Sequence, residues 1–361
     1  MLHDQPSART ASRLTRRRFL AMSAVAAAGA AGPSRAAAQG QLTVALYGGR
    51  FGEAIREGSI KEFQQKTGAR VLEEQGVSTI TLGKLRQQKG NPSIDVAWID
   101  GGVSEMALAE DLVEPIDLSK LTHGKDLFPA AVQKDKSGRV FAITGGFYSI
   151  GLSYNKDRIK TPPASWKDLW RPEYAGRVTT ASPVNATWPN WFAHMAKVFG
   201  GDLDHVDAFI EAMKRLKVAA FWDAAGQSDN LFQSGEADVG VQTHGNSWGL
   251  RDRGLPIVFV VPTEGAVAGD IRVHVAKGTK NRDLALKYID AVLSPAGQQG
   301  LMEYISAAPA NQRVEVPAKI KDRMPYGAGT MTNLVIPDWQ AVNERKPRWI
   351  ERWNKEVLGK A

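Results

Sequence analysis

The sequence predicts an α/β protein of two domains, each a parallel or mixed sheet flanked by helices. Three observations carry this. Residues 42–110 alternate strand-like and helix-like segments three times. Residues 149–261 return to strands and helices with different punctuation. The length beyond the N-terminal segment suits two domains of ordinary size.

Residues 42–46 alternate as a half-buried strand does, and Tyr47-Gly48-Gly49 breaks them. Residues 50–66 place Phe51, Ile55, Ile60 and Phe63 at near-helical spacing, and Thr67-Gly68 stops the helix. A second strand follows at 69–73 and a short helix at 82–88. Residues 94–99 form an apolar run expected to be a buried third strand, ending at Asp100-Gly101-Gly102 before a helix at 103–110. Strand, helix and strand in succession imply parallel pairing with helices on the faces.

Further on, strands are expected at 149–154, 178–180, 239–243, 257–261 and 271–276. A short helix begins at Ser165. Residues 203–217 put Val206, Phe209, Ile210, Met213 and Leu216 on one helical face. Helices are also expected at 282–293 and after Pro295. Residues 336–358 read as a polar, tryptophan-bearing helical tail.

Residues 1–38 read as an export signal. Arg16-Arg17-Arg18-Phe19-Leu20 sets adjacent arginines before a short Ala, Val and Met run, and Ala36-Ala37-Ala38 offers small residues for cleavage near Gln39. This is the pattern of a twin-arginine signal, so the protein is expected in the periplasm. The net charge of +8 is misleading. Six arginines against Asp4 alone carry +5 of it before Gln39, which leaves +3 and no concentrated basic face for nucleic acid. The absence of cysteine excludes disulfides, thiolate metal sites, thiol nucleophiles and a cysteine-linked lipid anchor.

Five segments, in order, resemble one family. They are Ile60-Lys61-Glu62-Phe63 through Val71, Ile94 through Asp100 with Leu112-Val113-Glu114-Pro115, and Gly146-Phe147-Tyr148-Ser149 through Asp157. Ser165-Trp166-Lys167-Asp168-Leu169 through Val178 follows, then Pro262-Thr263-Glu264-Gly265 with Asp270 and Ala276 through Asn281. Together they resemble the extracellular solute-binding proteins of ABC importers, in the spermidine/putrescine-binding branch. The resemblance implies a two-lobed periplasmic-binding-protein fold, with the ligand in a cleft between lobes, closure about a hinge, and delivery to a membrane permease. On this sequence it implies lobe one at 42–147 plus 271–307 and lobe two at 148–269 plus 308–361, acting as a monomer.

Ligands in open parallel sheets sit at the carboxyl ends of strands, which selects four loops here. In Tyr47-Gly48-Gly49-Arg50-Phe51, the glycines let backbone amides approach a ligand at a helix start, and Arg50 offers a forked donor to an anion. In the second loop, Trp98 is either a cleft wall or core, and Asp100 either receives a cation or caps the next helix. The third offers Ser182, Asn185 and Trp188. It has no acidic residue between Arg177 and Asp202, unlike the polyamine binders it resembles, which argues against a long diamine. The fourth offers Thr243, His244 and Asn246. Trp222 and Asp223 form a further possible pair, and Tyr148 lies at the crossing strand. The resemblance makes Asp270 an ammonium acceptor, with a hinge residue as its alternative role. Arg50 and Asp270 on opposite sides of a cleft would suit a small zwitterion or amino-acid-like ligand.

An enzyme is not expected. The histidines show no metal-ligand spacing, and no G-x-S-x-G or H-E-x-x-H occurs. No cofactor or metal is expected either. A ferric-iron binder of the same fold would use adjacent tyrosines, which are absent. An organic-anion or phosphonate binder and a ligand-sensing receptor adaptor stay open as alternatives.

Overall fold

A computed structural model describes residues 40–327, 331 and 334–359; the expected export signal at 1–38 lies outside the described residues. Strands Arg70–Gln75, Gln41–Leu46 and Val96–Asp100 pair in parallel in that order. Val96–Asp100 then pairs antiparallel with Ala266–Ala276, which pairs antiparallel with Val140–Asn155. Beyond these, Val239–Thr243 is antiparallel to Val140–Asn155, and Val178–Ala181 and Val218–Trp222 complete a second parallel set. Helices follow the parallel strands, as the alternation in sequence requires.

The apolar side chains gather into two large cores. One draws on residues 42–147 and 271–310, and the other on residues 150–267 and 339–353. Two long strands join these lobes. Val140–Asn155 and Ala266–Ala276 are buried almost throughout, with register from Val267 opposite Ile150 to Val273 opposite Ile143. Ala308–Pro309 adds a third connection beside Phe147 and Gly146. The fold is therefore two-lobed α/β, with a mixed sheet running through both lobes.

The crossing strands are longer than the 149–154 and 271–276 expected, spanning Val140–Asn155 and Ala266–Ala276, with Gly145, Gly146 and Gly269 inside the covered sheet. The helix expected from 82 starts at Ser78, and that expected from 203 starts at Asp207. Two helices, Ala225–Ser234 and His244–Asp252, lie where the sequence suggests none. The second carries Gly245 and Gly249, poor helix formers, but Thr243 caps it by accepting the Asn246 N–H. Among the described residues no helix is long and apolar enough to cross a membrane.

Candidate ligand cleft

A cavity of about 420 Å³ opens between the lobes. Arg50, Tyr304, Ile305 and Ser306 line it from lobe one, and residues of helix His244–Asp252 with Asp229 line it from lobe two. Tyr148 and Ile271, on the crossing strands, lie beneath, and Arg323 enters from the returning segment. The size suits a small molecule.

On the lobe-one side, the strand Gln41–Leu46 ends at Tyr47 and the helix Gly49–Ile55 begins at once. Tyr47 stacks edge-on against Phe51, and Phe51 against Trp98, which anchors the turn to the core. The Tyr47 hydroxyl lies 2.8 Å from Ser78 Oγ, and Ser78 donates to Asp100 Oδ2 at 2.9 Å. Burial pushes the Asp100 carboxyl up to about 6, with the Asp270 charge adding to it, against hydrogen bonds from Ser78 and Tyr47. Burial and the same carboxylates keep the Tyr47 and Tyr148 phenols protonated, with Asp270 acting only on Tyr148. Tyr47, Asp100 and Tyr148 are thus one electrostatic neighbourhood. Arg50 is exposed and makes no ion pair among the described residues.

On the lobe-two side the charges are spent on one another. Asp229 accepts from Asn246 at 3.0 Å, Gln242 at 3.1 Å and Arg253 at 2.8 Å. Arg323 forks onto both oxygens of Asp252 at 2.8 Å, and its hydrogen bonds, with the Arg50 charge adding, hold Asp252 below its usual value. The Trp248 ring lies under Arg251 and Arg323.

His244 joins the two sides. Its Nδ1 accepts the Ser149 N–H at 3.2 Å and its Nε2–H donates to the Ser306 carbonyl at 2.9 Å, which fixes the tautomer. Ser306 holds a left-handed φ of 56° at the end of helix Pro295–Ile305, and this turn aims its carbonyl. Burial pulls His244 down to about 4. It is a neutral strut at the lobe junction.

Of the expected residues, Arg50, Tyr148, Thr243, His244 and Asn246 line the cavity; Tyr47 and Asp100 lie behind Tyr148 without lining it, and Gly48 and Gly49 are at the helix start. Phe51 is core beneath them. Three aromatic candidates are core instead of cleft. Trp98 is fully buried and donates to Tyr288 at 3.0 Å, because both faces of its strand are covered. Trp188 and Trp222 are sealed in the lobe-two core, Trp188 against Phe192 and Trp353. Ser182, Asn185 and Asp223 form their own cluster at two strand ends, where Asn185 donates to the Asp223 carbonyl at 2.9 Å and Ser182 to its carboxylate. They do not line the cavity.

Asp270 is buried, and both its oxygens are engaged. Trp339 Nε1 donates to Oδ1 at 2.9 Å, while Thr144 and the Arg272 guanidinium donate to Oδ2. Sequence reasoning misses Asp229, Trp248, Asp252, Tyr304 and Arg323, which line the cavity. They come from helix faces and the tail, where no strand end or motif marks a residue as cleft-facing. Among the described residues no three His, Asp or Glu side chains are placed to hold a metal ion.

A family model described as bacterial extracellular solute-binding protein matches residues 58–325, well over half of the chain. The spermidine/putrescine-binding periplasmic protein of Salmonella typhimurium is 26% identical over 277 residues, covering 74% of this chain and 78% of the relative. An ABC transporter substrate-binding protein from Bradyrhizobium japonicum superposes with a TM-score of 0.74 at 18% identity, covering 88% of this chain and 99% of that one. The structure of the Atu4243 GABA receptor gives 0.70 at 22%, covering 87% and 96%. At these identities the property shared with the two structures is the fold.

Proposed function

The chain belongs to the bacterial extracellular solute-binding proteins, and from that premise we propose that it captures a small zwitterion in the periplasm and hands it to an ABC permease by hinge closure. Its relatives are binding proteins rather than enzymes. The lobes move as 42–147 plus 271–307 against 148–269 plus 308–361, a division that the two separate cores support except at Ala308 and Ala310, which pack in the lobe-one core. Export follows the twin-arginine route read at residues 1–38, and the protein works as a monomer.

One observation carries the ligand reading. Arg50, an exposed cation with no ion pair among the described residues, lines the cavity from lobe one, and Asp100 ends the neighbouring strand behind Tyr148, which also lines it. The ligand carboxylate sits on Arg50 at the start of the helix, and its ammonium sits on Asp100 between Tyr47 and Tyr148. Each charge-assisted contact contributes about 1.5–3 kcal/mol in a partly dry cleft. A second reading, a simple organic anion, is favoured by the three arginines lining the cavity, Arg50, Arg253 and Arg323.

A thermal-shift and calorimetric panel of ω-amino acids, diamines, dicarboxylates, phosphate esters and neutral sugars tests this. Amino acids with separated charges should bind, and Arg50→Ala should weaken them about 10- to 100-fold. Binding of dicarboxylates alone would favour the anion reading, and binding of sugars alone would reject both.

A further inference from the structure

The sheet that joins the lobes has an opening on each face. Its lobe-one strands alternate. Val96, Trp98, Ile271 and Val273 turn to one face, against Leu301 of helix Pro295–Ile305. Ala97 and Ile99 turn to the other, against Ala107 of helix Val103–Ala109. The cavity described above lies on the first face, where Ile271 lines it beside Tyr304 and Ile305. A groove of about 830 Å³ lies on the second, where the next residue, Arg272, lines it with Leu108 and Phe141. Successive residues of one crossing strand therefore point into two openings, on opposite sides of the strands that join the lobes.

The groove, like the cavity, takes a wall from each lobe. Lobe one supplies Leu108, Ala109 and the turn at 135–139. The other wall is the start of helix Trp339–Arg352, with Asp338 and Gln340, and Trp339, Val342 and Trp349 fix this helix in the lobe-two core. The walls meet beside the crossing strands. There the Trp339 ring packs on Gly101 and Gly102, where no Cβ would fit, and Asn343 donates to the Gly102 carbonyl at 2.7 Å. The indole N–H donates to Asp270, on the crossing strand, at 2.9 Å. Away from this contact, Ala109 and Gln340 are exposed on opposite walls. No residue lines both the groove and the cavity.

We propose that the groove is the reverse side of the hinge: the rotation about the crossing strands that narrows the cavity widens the groove, so bulk placed in the groove drives the cavity shut. The proposal rests on the hinge-closure reading and not on the identity of the ligand. A ligand that binds only the closed cavity has an apparent affinity reduced by the fraction of molecules already closed. A bias toward closure therefore raises the affinity for every ligand by one factor and leaves the ratios between ligands alone. A residue that touches the ligand changes those ratios instead.

The test is Ala109→Trp and, separately, Gln340→Trp, which add an indole to an exposed position on each wall. Both are titrated calorimetrically with γ-aminobutyrate, succinate and putrescine beside the wild type, and the empty proteins are compared by small-angle X-ray scattering. Each variant should bind every ligand that the wild type binds at least about threefold more tightly, by a common factor. Its empty form should have a smaller radius of gyration than the empty wild type. If one variant does not fold, the other, on the opposite wall, carries the test. Unchanged or weaker binding in folded variants, or a factor that differs between ligands, overturns the proposal. The ligand reading fails separately: succinate bound without γ-aminobutyrate ends the zwitterion reading, and the gain is then read on succinate. If the wild type binds none of the three, scattering decides, and an unchanged radius of gyration overturns the proposal.

Discussion

The two lobes face the cleft in different ways. Lobe one presents the ends of its parallel strands directly. Tyr47 stands one step past its strand and Asp100 ends the neighbouring one, Ser78 links them, and Arg50 lies in the first turn of the adjoining helix. Lobe two seals two of its strand ends and opens only Thr243, at the end of Val239–Thr243, to the cavity. Trp222 ends one strand and Trp188 follows another, and both sink into an aromatic core with Phe192, Trp349 and Trp353. The other groups that lobe two offers the cavity come from the helices at Asp229 and His244–Asp252 and the residue after them, and its acids are paired locally with Arg253 and Arg323. The difference teaches where free charge lies: Arg50 in lobe one makes no ion pair among the described residues, while the acids and arginines that lobe two brings to the cavity are paired with one another. A buried charged pair already satisfied has little left to give a ligand.

The sharpest way to break this comparison is Trp188→Ala. If the ring is core, the variant loses about 3–5 kcal/mol of unfolding free energy in urea, the cost of a large aromatic cavity. Ligand affinity of the protein that still folds should change less than about threefold, well under 1.4 kcal/mol. Intact stability with collapsed affinity would move Trp188 into the site and erase the contrast between the lobes.

The same contrast decides what was legible in the sequence. The rule that ligands gather at strand ends points to Tyr47, Arg50 and Asp100, of which Arg50, at the start of the helix that follows a strand, lines the cavity. It fails for Trp98, Trp188 and Trp222. A tryptophan at a strand end has the same sequence signature whether its face is covered or open, and covering is decided by elements distant in the chain, such as Trp353 over Trp188. Asp270 is harder still. Its carboxylate is closed by Thr144, Arg272 and Trp339, and the first and last of these lie 126 and 69 residues away. Lobe order and crossing strands were readable from hydrophobic runs and family likeness. The helix His244–Asp252, with Asn246 and Trp248 on the cavity, was hidden by its glycines.

His244 opens the lobe-two wall and ties it to Ser149 and Ser306, and acid isolates its contribution. Its folded value of about 4 lies below the usual 6.5 for an exposed imidazole. The stability it confers is fully present above about pH 6.5 and is lost as pH falls through about 4, because the unfolded chain takes up the proton first. The loss amounts to about 3 kcal/mol at full protonation. His194, at about 4, and His274, at about 3, lose stability in the same direction. Melting temperature followed from pH 7.5 to 4 should therefore fall, and His244→Gln should fall less steeply. Equal slopes would mean that the junction is not held through this imidazole.

Asp100 has the opposite sign, and it separates a working carboxylate from a structural one. Its folded value of about 6 lies above that of an exposed aspartate, so the stabilisation it gives the empty protein is present at low pH and lost as pH rises through about 6. An arriving ammonium reverses that preference, because it needs the ionised form. Ligand affinity should then fall about tenfold between pH 7.5 and pH 5, the ratio set by one proton competing at about 6. Calorimetry at the two pH values measures it directly. Arg50→Ala should keep this dependence while weakening binding at both, since it touches the other end of the ligand, and Asp100→Asn should abolish it. A flat profile in the wild type would leave Asp100 as the partner of Ser78 alone. Lobe one would then hold only the anion end, and the simple-anion reading would take over the cleft.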